Sequence, residues 1–186
     1  MVRWEPGARD RLKAAALERF AVQGFDGTTV AEIAAAAGVT ERTFFRYFAD
    51  KREVLFTGQE EFEREFVEGL GDDGPPMAMV ERALDRAAAS FPDERRPWSR
   101  VRQVVIDAEP SLQERELLKL SSLAVAMTRA LQRRGIDATA AALAAEAGVA
   151  VFRVAFGAWI ADGEERSFAE LQREVLAELR ALVSTA

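Results

Sequence analysis

The 186-residue chain contains neither cysteine nor histidine. Without cysteine, disulfide frameworks and thiolate metal sites are excluded, and the expected location is a reducing cytoplasm. Without histidine, the commonest general base and the commonest metal ligand are missing, so that only carboxylates, lysine, tyrosine and hydroxyls are left for chemistry. The sequence also lacks a glycine-rich phosphate loop, a G-x-S-x-G elbow and an H-E-x-x-H zinc motif. An enzyme is therefore not expected, and no cofactor or metal is implied. The first residues, MVRWEPGARDRLK, alternate charges where a secretory signal needs an unbroken apolar stretch, so no targeting segment is expected. Strand signals are absent too, since no run of alternating β-branched residues occurs.

What the chain does have is apolar material with helical spacing. Apolar residues make up 49% of the composition, which is enough for a core in one large domain or in a small domain joined to a medium one. The net charge of −6 is unevenly placed. Residues 1–52 carry nine Lys/Arg against seven Asp/Glu, whereas the remainder carries 16 against 24. Such asymmetry suits a polyanion-facing head on an acidic body.

The expected fold is all-α, with nine helices in two domains. A first helix spans about 8–23, with Leu12, Ala16 and Phe20 on one face and Gly24 as its stop. Thr29-Val30-Ala31-Glu32 is a capping box for a second helix ending before Gly38, and Thr40 caps a third through Tyr47. Asp50-Lys51-Arg52-Glu53 is a capping box for a fourth helix continuing to about Leu70. Further helices are expected over 77–90, 98–109, 111–134 (capped by Ser111 with Glu114), 137–161 and from Ser167, where Ser167-Phe168-Ala169-Glu170 is another capping box.

The second and third helices, joined at Ala37-Gly38-Val39, have the form of a helix-turn-helix, because glycine reaches the positive φ that so short a turn needs. Ile33, Ala37, Val39 and Phe44 are spaced to meet between them. In the stretch GVTERTFFRYFADK, Phe44 and Phe48 lie four apart and can share the inward face. Glu41, Arg42, Phe45 and Arg46 then project outward, with Thr43 and Tyr47 at the edges. That face suits a DNA groove. Arginine forks to guanine, glutamate accepts from cytosine, threonine meets the thymine methyl, and Lys51 suits phosphate. The alternative is that the aromatics are core and the charges an ordinary solvated face.

The run from Gly24 to Phe56, GFDGTTVAEIAAAAGVTERTFFRYFADKREVLF, resembles the DNA-binding signature of the TetR family of transcriptional regulators. Its wording from Thr40 to Phe56 is similar to that of actinobacterial regulators of the mycofactocin-regulator type. The resemblance implies a dimeric repressor that leaves its double-stranded DNA operator when a small molecule, acyl-CoA-like in this branch, binds the C-terminal domain. It places base reading on Glu41, Arg42, Thr43 and Tyr47, and phosphate positioning on Thr29, Thr40, Phe45 and Lys51. Arg46 is assigned to backbone or solvent contact. Family members often have tyrosine where this chain has Phe45, and the missing hydroxyl forgoes a bond worth about 1 kcal/mol. Tyr47 stands where histidine is common.

The expected division is therefore a DNA-binding domain over 1–52 and a ligand-binding and dimerisation domain over 53–186. The segment 137–161 is long and apolar enough for a membrane span, but its alanine-rich start, its charges at Glu146 and Arg153 and its lack of a basic flank argue against one. Burial against both its own domain and a partner is the expectation. With 167–184, whose stripe is Phe168, Leu171, Val175, Leu179 and Leu182, it would form a homodimer interface; a monomeric core is the alternative. Candidate effector-lining residues are Phe62, Phe66, Trp98, Met127, Phe152, Phe156 and Trp159, for each of which ordinary core is the alternative and, taken singly, the commoner role. Arg102, Arg129 and Arg153 are candidate anion partners, since a buried arginine needs a counter-charge; internal pairing with Asp107, Glu109 or Glu146 is the alternative. A competing function is a small-ligand-binding or carrier protein in which the N-terminal helices only pack.

Overall fold

The computed structural model describes residues 7–184, and among them there are helices and connections but no strand. The helices are α1 (Ala8–Gln23), α2 (Val30–Ala36), α3 (Glu41–Tyr47), α4 (Glu53–Phe56), α5 (Gln59–Gly69), α6 (Pro76–Ala88), α7 (Arg96–Asp107), α8 (Pro110–Arg133), α9 (Ala138–Trp159) and α10 (Phe168–Ser184). A single 3-10 turn covers Asp93–Arg95. The chain forms two compact units, one comprising residues up to Thr57 together with Val101–Glu116, the other Gly58–Arg100 together with the residues from Leu117. The unit that holds the helix-turn-helix thus takes in more chain than residues 1–52.

In the first unit, α1 buries Leu12, Ala16 and Phe20 and stops at Gly24, whose N–H returns to the Phe20 carbonyl. These residues join Ile33, Phe44, Phe48, Val54, Leu55 and Phe56 in the buried set. Each full burial is worth roughly 1.5–3 kcal/mol, which is how three short helices stay folded when none would be stable alone. The expected 50–70 helix is broken. Thr57 is extended and Gly58 takes a left-handed φ of 88°, so α4 and α5 are separate rods; counting them as one gives the nine helices of the sequence reading. Only glycine reaches that φ without strain, and one such residue suffices to end the hydrogen-bond ladder. Asp50 does accept from the N–H groups of Arg52 (2.8 Å) and Glu53 (3.1 Å), but the reciprocal Glu53 carboxylate turns instead to Arg115, 2.9 Å away.

The second unit is a helical bundle in which α5 packs on α6, α6 on α9, and α9 on α10. The helix α8 begins at Pro110, one residue earlier than expected, and the Glu109 carboxylate rather than Ser111 serves its start, accepting from the Ser111 N–H at 3.2 Å. Proline at the first helical position has no N–H to leave unsatisfied, so it opens this helix. Among the described residues α9 alone is long and apolar enough to cross a membrane. It is instead built into the bundle, with Ala141, Ala145, Val151, Phe152, Ala155 and Trp159 buried. Asp137 caps its first turn by accepting from Thr139 and Ala140. Both Thr29 with Glu32 and Ser167 with Glu170 form the reciprocal capping boxes expected of them.

Candidate nucleic-acid interface and effector site

The helix-turn-helix is held by its own backbone and by α1. Gly38 takes φ 67°, its N–H bonds to the Ala35 carbonyl at 3.0 Å, and the Val39 N–H bonds to Ala34 at 2.9 Å. The Arg11 guanidinium reaches across from α1 to the Ala37 carbonyl at 3.1 Å. Ile33 and Ala34 are buried on α2, Ala37 at its C-terminal cap, Phe44 on α3 and Phe48 just after it, while Val39 is half-buried. The Phe44 and Phe48 rings lie 5.1 Å apart.

With those two rings inward, helical spacing turns the rest of α3 out. Glu41, Arg42, Phe45, Arg46 and Tyr47 are all exposed, Phe45 to 55% and Tyr47 to 38%, and Thr43 is half-buried. Phe45 thus leaves an apolar ring beside Arg42 and Arg46 on the outward side of a seven-residue helix. Two of the outward residues are already coupled, since Arg46 donates to the Tyr47 hydroxyl at 3.0 Å and its guanidinium lies 4.8 Å from that ring. Thr40 accepts from the Thr43 N–H, and their hydroxyls are 3.1 Å apart. At the start of α2, the Thr29 backbone N–H and hydroxyl both donate to Glu32 at 2.8 Å, holding that carboxyl below the usual carboxylate range.

Lys51 is placed differently from the phosphate role that the resemblance assigns it. Its ammonium donates to the carbonyls of Phe25 (2.6 Å) and Thr28 (2.9 Å) and sits 4.1 Å from the Phe25 ring. Two of its three donors are used inside the unit, where they clasp the loop between α1 and α2.

In the second unit the predicted effector residues Phe62, Phe66, Phe152 and Phe156 come together with Trp159, as members of one aromatic cluster. Phe152 touches Phe62 at 5.3 Å, Phe66 at 5.6 Å and Phe156 at 6.0 Å between ring centres. Met127 is buried in the same core. Sequence reasoning missed Phe91, which lies in the breaker-rich FPDERRP segment yet packs 4.8 Å from Phe168 and 5.5 Å from Phe152. Trp98 is outside the cluster, half-buried, with the Arg95 guanidinium 5.6 Å from its ring.

The arginine expectations need correction. Arg129 and Arg153 are exposed, because their helix positions face away from the buried stripes of α8 and α9. Arg102 is buried, but in the first unit, where it donates to the Leu55 carbonyl at 3.0 Å and to Glu116 at 2.8 Å. Its counter-charge is therefore internal, and Glu116 supplies it rather than Asp107, Glu109 or Glu146. The buried arginine of the second unit is Arg96. It donates to Asp93 at 2.7 Å and to the carbonyls of Glu164 and Arg166, with its guanidinium 5.4 Å from the Trp159 ring.

A small all-α unit presenting a short polar-aromatic helix, followed by a bundle with an aromatic core, defines a helix-turn-helix regulator with an appended helical domain. Comparison with known proteins gives the same class. Residues 12–57 match the family model of bacterial regulatory proteins of the tetR family, and residues 74–184 match that of the MftR C-terminal domain. The chain belongs to the TetR family, and the proteins it resembles are transcriptional regulators rather than enzymes. It is 47% identical over 62 residues to the transcriptional regulator TcmR of Streptomyces glaucescens, a stretch covering 33% of this chain and 27% of that protein. It is 36% identical over 76 residues to the mycofactocin biosynthesis transcriptional regulator MftR of Mycobacterium tuberculosis, covering 41% of this chain and 38% of the relative. The matched stretches thus span well under half of these relatives. The crystal structure of Bacillus subtilis FadR in complex with stearoyl-CoA superposes with a TM-score of 0.63 at 17% identity, covering 91% of this chain and 96% of that one, a likeness of fold.

Proposed function

We propose that the chain is a cytoplasmic, homodimeric transcriptional repressor that binds a double-stranded DNA operator through α3 and leaves it when an acyl-CoA-like ligand enters the bundle. The observation that carries this reading is the division of α3, with Phe44 buried and Glu41, Arg42, Phe45, Arg46 and Tyr47 exposed, inside a family-matched helix-turn-helix. Arg42 is the base reader, with Glu41, Thr43 and Tyr47 beside it. Thr29, Thr40, Phe45 and Arg46 border the sugar-phosphate backbone, and the DNA-recognition part lies within residues 1–52.

A two-fold dimer would set two α3 helices about 34 Å apart, to enter successive major grooves. The exposed apolar residues Leu143 and Val154 on α9 and Leu182 and Val183 on α10 support a partner surface there. The MftR-type C-terminal match and the stearoyl-CoA bound to a structural neighbour support the ligand class. A gel shift with the DNA upstream of the chain's own gene tests the reading. A retarded band that lauroyl-CoA abolishes is expected. Arg42→Ala should weaken operator binding by about tenfold and leave binding to random DNA nearly unchanged. No retarded band at low salt would favour instead a ligand carrier whose N-terminal helices only pack.

A further inference from the structure

We infer that Gln172 on α10 is the polar recognition point of the effector site, and that it selects an aliphatic ligand presenting a carbonyl and an N–H or O–H side by side. Gln172 is 2% exposed, and neither atom of its side-chain amide has a hydrogen-bond partner. It follows Phe168 by four residues, so it shares the inward face of α10 with Phe168, Leu171 and Leu176. Phe168 lies 4.8 Å from Phe91, 5.5 Å from Phe152 and 5.6 Å from Trp159. The amide therefore stands one helical turn along from the aromatic cluster.

The chemistry follows from which atoms are orphaned. A buried primary amide offers two donors and a carbonyl acceptor, and leaving them unmet is costly, whereas an apolar side chain of similar volume there would cost little. A plain thioester or ester would answer only the nitrogen. A carboxamide or a hydroxyacyl group answers nitrogen and oxygen together, while its hydrocarbon tail packs on the rings. A carboxylate head could accept from the amide nitrogen but would leave the amide oxygen without a donor. The inference rests on the effector-site reading above, but it concerns the selectivity of one residue rather than the release of DNA.

The test uses the full-length protein and two probes, decanamide and N,N-dimethyldecanamide, titrated against tryptophan fluorescence, since Trp159 lies in the cluster. The wild type should bind decanamide about tenfold more tightly, because methylation removes the donor and leaves the Gln172 oxygen unmet. Gln172→Met, close in volume, should bind both probes alike. Equal binding of the two by the wild type overturns the proposal without recourse to any variant, as does a preference that survives in Gln172→Met. Lauroyl-CoA added to the operator gel shift separates the readings. Release of DNA with no amide preference overturns the role of Gln172 alone, and amide preference without release by lauroyl-CoA upholds Gln172 while refuting the acyl-CoA class.

Discussion

Replacing Lys51 by methionine keeps the aliphatic stem and removes only the ammonium, which makes it a clean probe of what that charge does. In the structure the ammonium spans two carbonyls of the α1–α2 connection and faces the Phe25 ring. Hydrogen bonds made by charged groups contribute about 1.5–3 kcal/mol each and an exposed cation–π contact about 0.5–1 kcal/mol. Lys51 is only half-buried, and water can replace part of what is lost. A net destabilisation of about 2–3 kcal/mol is expected, below the summed range of about 3.5–7 kcal/mol because water replaces part of each interaction. For a chain of this length that corresponds to a fall in Tm of roughly 4–12 °C. The same variant tests the phosphate role independently. A lysine neutralising one phosphate contributes about 0.9 to the slope of log K against log salt. If the ammonium is committed to the α1–α2 loop, Lys51→Met lowers Tm and leaves that slope unchanged below its melting range. An unchanged Tm with a slope reduced by about one for each protomer would refute the clasp and return Lys51 to the DNA.

Removing the buried partner of the Arg102–Glu116 pair should be more damaging than breaking an exposed pair: Arg102→Met is expected to cost about 3 kcal/mol in urea unfolding, because the buried guanidinium's bonds to Glu116 and to the Leu55 carbonyl are both lost. Leu143→Arg places a charge on the exposed face of α9, so light scattering should find the mass of one 20.5 kDa chain where the wild type gives twice that value. The carboxyls of Glu32 and Glu170 are both held low, Glu32 chiefly by the Thr29 N–H and Glu170 chiefly by the Ser167 hydroxyl. Since folding depresses them, their contribution is complete above the unfolded value of 4.5 and is lost as pH falls through the lower folded values. Unfolding midpoints measured from about pH 7 down to pH 3 should thus decline below 4.5, and Glu32→Gln with Glu170→Gln should decline less; stability that rises with acid would refute the linkage.

Helix starts were legible because their causes are local. Thr29 with Glu32, Thr40, Asp137 and Ser167 with Glu170 each satisfy donors within three residues of themselves, so their residue types alone announce them. The inward and outward faces of α3 were legible for the same reason, since Phe44 and Phe48 are separated by one turn. The break at Thr57–Gly58 was signalled by a glycine that the surrounding helix formers outvoted. At Asp50 the cap was read correctly only in half, because Glu53 has a second suitor, Arg115, 62 residues away.

That competition explains why the charged residues of the interior were harder to assign than the aromatic ones. An aromatic ring gains from any apolar neighbour, so a helical stripe of rings is enough to predict that Phe62, Phe66, Phe152 and Phe156 will share a core. An arginine or a glutamine gains only from a partner of the right kind at about 3 Å, and which partner arrives is decided by elements far apart in sequence. Arg102 found Glu116 and the Leu55 carbonyl, Arg96 found carbonyls beyond the end of α9, and Lys51 found carbonyls of the α1–α2 loop. Gln172 met no partner at all. For each of the three cations most of the donors are spent within the chain, although the Arg96 Nε stays unmet. The residues most open to an external partner are consequently those whose polar atoms the fold leaves exposed or unmet: in the first unit the exposed Arg42 fork of α3, and in the second the amide of Gln172, with the Arg96 Nε as a further unmet donor.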